Sequence, residues 1–128
     1  MTVWHTLGYR RVEHPDEGHA LIEWDASEEY AFSDGSGAII HGGLVTTLLD
    51  TAMGNAAFTV LAEGESFLTA DLRAEFFRSA RPGHLRAEGH VVHRTRRVVY
   101  CSAELFDADG KLLAAARCTQ IVRTRDPG

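Results

Sequence analysis

The sequence predicts an α+β domain in which an antiparallel sheet wraps around one long central helix. Three observations point there. Residues 42–61 carry apolar side chains at helical spacing with few charges. The segments after them read as four strands joined by short turns, and two shorter strand-like segments come before. A helix so apolar must be covered on most sides, and a sheet curled around it does that.

The elements follow in order. Residues 8–12 and 19–24 read as short strands separated by the turn-rich stretch 13–18. Residues 25–37 contain Ser33, Asp34, Gly35, Ser36 and Gly37 and read as a loop. From Gly42 to about Leu61, the residues Leu44, Val45, Leu48, Leu49, Ala52, Met53, Ala56, Ala57, Val60 and Leu61 form a wide apolar stripe. Glu63-Gly64-Glu65 ends this helix, with Gly64 suited to a left-handed C′ position. Leu68, Ala70, Leu72, Ala74 and Phe76 then alternate with Thr69, Asp71, Arg73, Glu75 and Phe77, which sets Thr69 on the face opposite Leu72. Arg81-Pro82-Gly83 is a turn, and Leu85, Ala87, Gly89 and Val91 alternate with polar partners. Residues 97–106 and 111–122 form a hairpin around Asp109-Gly110. Residues 123–128 read as a polar tail. The whole is one domain, 1–128, with its core at about 7–123.

Composition excludes several classes. The chain is 45% hydrophobic and 24% charged, an ordinary globular balance rather than that of a disordered or collagen-like protein. Its net charge of −5 hides a split. Residues 12–72 hold twelve acids and no Lys or Arg, whereas seven of the thirteen cations lie between Arg73 and Arg97. This pattern suits neither nucleic acid nor a membrane, but a compact anion such as a nucleotide phosphate could be held by the Arg stretch. From charge alone, arginines that simply keep strand ends soluble are the plainer explanation. No signal peptide and no membrane span are read, so a cytoplasmic location is expected. A hairpin centred on residues 107–110 sets Cys101 opposite roughly residue 116, with Cys118 off register for a bridge, so two reduced thiols are expected. His90 and His93, three apart on a strand, are expected on opposite faces, and no metal site is assigned.

The chemistry concentrates where His41-Gly42-Gly43 runs into the helix that carries Asp50. First-turn N–H groups lack intrahelical partners and carry partial positive charge, so they can hold a developing oxyanion. Glycines let a ligand atom approach them closely. Asp50, just over two turns on, falls at the edge of the apolar stripe, where partial desolvation raises a carboxyl pKa and prepares a base or nucleophile. The same spacing also fits an ordinary glycine loop and a solvent-facing Asp.

The run from His41 to Gly54, HGGLVTTLLDTAMG, resembles the signature of hotdog-fold acyl-CoA thioesterases of the phenylacetyl-CoA (PaaI-like) type. The resemblance continues through Thr69-Ala70-Asp71-Leu72, Phe76-Phe77-Arg78, Arg81-Pro82-Gly83 and residues 107–112, and it covers about residues 18–123. It implies a hotdog fold and hydrolysis of an aryl- or acyl-CoA thioester to free acid and CoA. It implies Asp50 as base or nucleophile, Gly42 N–H as oxyanion donor, and His41 shaping the loop. It implies Gly43 beside the substrate and a hydroxyl at Thr69, contributed across a dimer interface. Arg78, Arg81, Arg94, Arg96 and Arg97 are candidates for the CoA phosphates, for which Arg is suited by its bidentate geometry. The family also implies a homodimer with a continuous sheet, often paired into a dimer of dimers that forms a tetramer, and needs no metal or prosthetic group. CoA enters only as part of the substrate. One departure is Gly35, where the family usually carries Asn or Gln seven residues before the oxyanion glycine. That departure keeps open a non-catalytic acyl-CoA-binding protein. A hydratase acting on acyl-CoA or acyl-carrier protein would use a catalytic His, and His41 followed at once by Gly-Gly fits the thioesterase pattern better.

Overall fold

The structure, a computed structural model, describes residues 3–12 and 16–124. A short helix α1 (Val3–Leu7) leads into a two-residue strand β1 (Arg10–Arg11) and then β2 (His19–Ala26). One turn of 3₁₀ helix (Glu28–Tyr30) precedes a small hairpin of β3 (Ala31–Ser33) and β4 (Ala38–Ile40). The long helix α2 (Gly42–Phe58) follows directly. Four long strands complete the chain: β5 (Glu65–Phe76), β6 (Gly83–Arg94), β7 (Val98–Phe106) and β8 (Leu112–Thr124). The main sheet is antiparallel in the order β1-β2-β6-β7-β8-β5, so β5 stands at an edge.

One face of the sheet and one face of α2 make the core. The helix buries Val45, Leu48, Leu49, Ala52, Met53, Ala56 and Ala57, as its periodicity predicts. Against them lie Ile22 and Trp24 of β2, Leu85 and Ala87 of β6, and Val99, Ala103 and Leu105 of β7. Trp24 is fully buried, and its indole N–H donates to the Leu7 carbonyl at 2.7 Å, which ties α1 to the sheet. The layers approach closely at Gly89 of β6. A Cβ there would stand 2.2 Å from the Ala52 carbonyl oxygen, so no side chain fits between helix and sheet at that point.

Several sequence expectations need correction. The helix stops at Phe58, three residues before the expected end. There the Thr59 hydroxyl donates to the Ala56 carbonyl at 2.7 Å and the Arg94 guanidinium donates to the Val60 carbonyl, taking acceptors that further helix would have used. Gly64 is left-handed at φ +82°, but it serves the turn into β5 rather than the helix cap. The segment 25–37 is not a plain loop: Asp25 and Ala26 extend β2, and residues 31–33 pair with 38–40. Strands of three residues are too short to show periodicity. Of residues 8–12, only Arg10–Arg11 pairs as strand. Within the turn stretch 13–18, residues 13–15 lie outside the described residues, as do residues 125–128 of the expected polar tail, whose first two residues, Arg123 and Thr124, instead pair with β5 as the end of β8.

Two register shifts matter more. In β5 the pairing passes from Thr69↔Gln120 to Asp71↔Thr119, leaving Ala70 as an extra residue. The bulge inverts the alternation. Thr69 and Leu72 therefore share the helix-facing side, opposite Gln120 and Cys118, instead of lying on opposite faces as the strict period predicts. In β6 a second shift leaves Val92 extra, so His90 and His93 face the same way, opposite Ser102 and Tyr100. The β7–β8 hairpin also differs from its expected register. The Asp107 carboxylate accepts the N–H groups of Asp109 and Lys111, both at 2.9 Å, and the ladder shifts between Leu105 and Phe106. Cys101 consequently lies directly opposite Cys118, and both are buried free thiols.

Candidate active site

The β3–β4 hairpin delivers His41 to the start of α2. The His41 N–H donates to the Tyr30 carbonyl at 3.2 Å, and its ring lies 5.1 Å from that of Phe32, centroid to centroid. The N–H groups of Leu44 and Val45 return to the His41 carbonyl at 3.0 and 3.2 Å. The N–H groups of Gly42 and Gly43 stand ahead of the first intrahelical bond and have no partner within the helix. Gly43 is open: a Cβ there would meet nothing within 4 Å. Beside Gly42 is a cavity of about 330 Å³ walled by Phe32, Ile40, Val45, Phe76 and Arg78.

Asp50 lies about 12 Å farther along the helix axis, eight residues at about 1.5 Å each. It is half-buried and lines a separate cavity of about 400 Å³ with Arg11, Asn55, Phe58, Phe67 and Thr69. Burial pushes its carboxyl above the usual carboxylate range, and the Thr69 hydroxyl oxygen stands 3.5 Å from Oδ1. Gly54 makes room for the wall of this cavity, since a Cβ there would press on the Phe67 ring at 3.3 Å. Asp50 and Thr69 belong to the same chain, so the bulge brings together two residues that the family resemblance placed on either side of an interface. Gly42 and Asp50 of one chain, by contrast, open on different cavities.

The five arginines divide between the two ends of the helix. Arg78 and Arg81 stand at the Gly42 end, on a groove of about 530 Å³ that also presents His84, Lys111, Asp107 and Asp109. The Arg81 guanidinium donates to the Ala38 carbonyl at 3.3 Å. Arg94 stands at the other end, held by Glu65 at 2.8 Å as well as by the Val60 carbonyl. Arg96 and Arg97 are exposed in the turn between β6 and β7. Gly35 occupies the tip of the β3–β4 hairpin at φ +93°, a backbone state that an Asn or Gln would strain. Its neighbours are engaged locally, with the Ser36 N–H and hydroxyl donating to Asp34 at 2.8 and 2.6 Å. Residues able to hold a metal lie on the far side of the sheet. Glu88, His90 and Glu104 offer ligand atoms within 4.8 Å of one another, and His90 is hydrogen-bonded to His19 at 3.0 Å.

Sequence reasoning did not single out Arg11, Phe58, Phe67 or Gln120. Gln120 had a signal: it is a polar residue in step with Ala114, Ala116 and Cys118, the inward positions of β8. No helix among the described residues is long and apolar enough to cross a membrane.

One long helix laid across a curled antiparallel sheet, with a glycine-opened N-terminus and a carboxylate two turns on, defines a hotdog domain. The chain matches the thioesterase superfamily over residues 37–114 and belongs to it. An esterase-named protein of Saccharolobus solfataricus is 31% identical over 106 residues, covering 83% of this chain and 73% of that one. The solved structure of a phenylacetic acid degradation-related protein of Ralstonia eutropha, named as a thioesterase, superposes with a TM-score of 0.81. It is 28% identical over 93% of this chain and 88% of its own. The thioesterase HI1161 of Haemophilus influenzae superposes at 0.86 with 20% identity over 96% and 83% of the two chains, a likeness of fold alone.

Proposed function

We propose that this protein is a thioester hydrolase whose substrates are aryl- or acyl-CoA esters. The observation that carries this reading is Asp50: a half-buried carboxyl, raised by burial, facing Thr69 in a cavity walled by Phe58 and Phe67. In it Asp50 acts as base or nucleophile toward the thioester carbonyl. The Gly42 N–H, assisted by the helix dipole, stabilises the oxyanion that forms. Gly43 leaves the approach open, and His41 holds the loop that presents both glycines.

Gly42 and Asp50 stand too far apart on one helix to act on one carbonyl carbon. The reading therefore includes a homodimer in which Gly42 of one copy meets Asp50 of the other. The β5 edge supports this: it offers twelve residues of unpaired backbone on one side and exposes Leu68 and Phe76. Pairing of two β5 strands would continue the sheet across both copies, and two such dimers could pair further. For the CoA phosphates the groove with Arg78, Arg81 and Lys111 is the favoured surface, because it adjoins the Gly42 cavity. Arg94 has a structural partner in Glu65, and Arg96 and Arg97 lie at the other end.

The test is thiol release from a panel of aryl- and fatty-acyl-CoAs. Turnover is expected on at least one class, and Asp50→Asn should lower kcat/KM by about 10²–10⁴. Binding of CoA esters with no release of thiol would instead establish the binding protein that the Gly35 turn keeps open. Parent-like turnover by Asp50→Asn would remove Asp50 from the chemistry.

A further inference from the structure

Gln120 is the one fully buried polar side chain among the described residues. It sits in β8, directly across from Thr69 of β5 and Val99 of β7. A buried primary amide is costly unless its ends find partners. Here Oε1 accepts the Thr69 hydroxyl at 2.8 Å, and Nε2 donates to Cys118 Sγ at 3.4 Å. The bulge at Ala70 creates this arrangement by turning Thr69 to the helix-facing side.

A threonine hydroxyl has one proton to donate. Two acceptors compete for it: Gln120 Oε1 at 2.8 Å and Asp50 Oδ1 at 3.5 Å. The shorter contact takes the proton. Thr69 then turns a lone pair, not a donor, toward Asp50. An ionised Asp50 gains nothing from that oxygen, whereas a protonated Asp50 can donate to it.

We propose that Gln120 is a positioning residue for the site, holding the Thr69 proton on the sheet side so that Asp50 faces an acceptor. The chain then runs in one direction. Once Asp50 has taken a proton from water, its O–H donates to Thr69 Oγ1, and Thr69 keeps its own proton on Gln120 Oε1. No bond within the chain is broken, and the protonated product of the base step is the state favoured. The functional meaning rests on the thioesterase reading, but the hydrogen-bond order belongs to the folded chain alone.

The experiment follows the Asp50 carboxyl directly, by ¹³C NMR titration of the full-length protein. Four forms are compared: the parent, Gln120→Met, Thr69→Val and the double variant. The other ionisable groups around this corner are Arg11 across the cavity, Cys118 behind Gln120 with Cys101 opposite it, and Asp71 next along β5, and all are retained in every form. Gln120→Met frees the hydroxyl to donate to Asp50, so the midpoint should fall by about half a pH unit or more. In the Thr69→Val background the same change should leave it nearly still. An unmoved midpoint, or an equal shift in both backgrounds, would overturn the proposal. Gln120→Asn withdraws the amide by one methylene and carries the same expectation should the Met variant not fold. With an active parent, Gln120→Met should lower kcat more than it changes KM. A parent that hydrolyses no ester but shows the NMR shift would refute the thioesterase reading and leave the positioning role standing. An active parent without the shift would do the reverse.

Discussion

Asp50 joins sequence pattern to chemistry at the scale of one side chain. Its place at the edge of the apolar stripe was legible from helical spacing, and half-burial follows from that place. Folding disfavours its charged form, so the folded-state pKa lies above the unfolded one. The cost of ionising it is fully present above the folded midpoint and vanishes below the unfolded one. Asp50→Asn resembles the protonated form. It should therefore raise Tm at neutral pH, with the gain shrinking as the pH falls toward about 3. Thermal melts across that range check this, and a gain that grows toward acid would contradict it. Thr69 was less legible. Its hydroxyl was expected on the face away from Leu72, because nothing in a strand's residue types marks where one extra residue enters the ladder. Cys118 was misplaced for a related reason. Its register depends on the Asp107 carboxylate building a longer turn than Asp109-Gly110 alone suggests. The hydrogen bond with the neighbouring Cys101 thiol, reinforced by burial, then holds the Cys118 thiol far above the ordinary range, the state of an inert core thiol.

At the scale of elements, the long helix and the four strands after it were read correctly in type and order. Each is long enough to display its period several times. The short pieces were not: the β3–β4 hairpin passed as loop, and residues 8–12 yielded two strand residues. Among the large side chains of the helix–sheet core, Gly89 is a point of very close approach. Adding one methyl there drives Cβ against the Ala52 backbone, which cannot turn aside as a side chain can. Gly89→Ala should cost about 3 kcal/mol, at the upper end of overpacking effects. That lowers Tm by on the order of 10 °C for a domain of this size. Calorimetry decides it, and an unchanged Tm would mean that α2 can lift off the sheet freely. Because Ala52 is two residues from Asp50, the same substitution should disturb the contacts of Asp50 with Thr69.

For the whole molecule, charge took on a place. The acid-rich first half contributes α2 and Asp50, while Arg78 and Arg81 flank the end where Gly42 lies. The sequence could not tell these two arginines from Arg94, since pairing with Glu65 depends on how β5 and β6 meet the end of the helix. What one chain cannot do is bring its own Gly42 to its own Asp50. A site shared between copies exists only while the copies stay paired. Specific activity should therefore fall on dilution below the dimer dissociation constant and return on reconcentration, with sedimentation measured alongside. Constant specific activity through dissociation would show that one chain suffices. In the proposed dimer the bare edge of β5 would set a threshold. At low abundance, turnover is expected to grow as the square of the protein's amount, and at high abundance in simple proportion. One unpaired strand would act as a concentration sensor that needs no ligand.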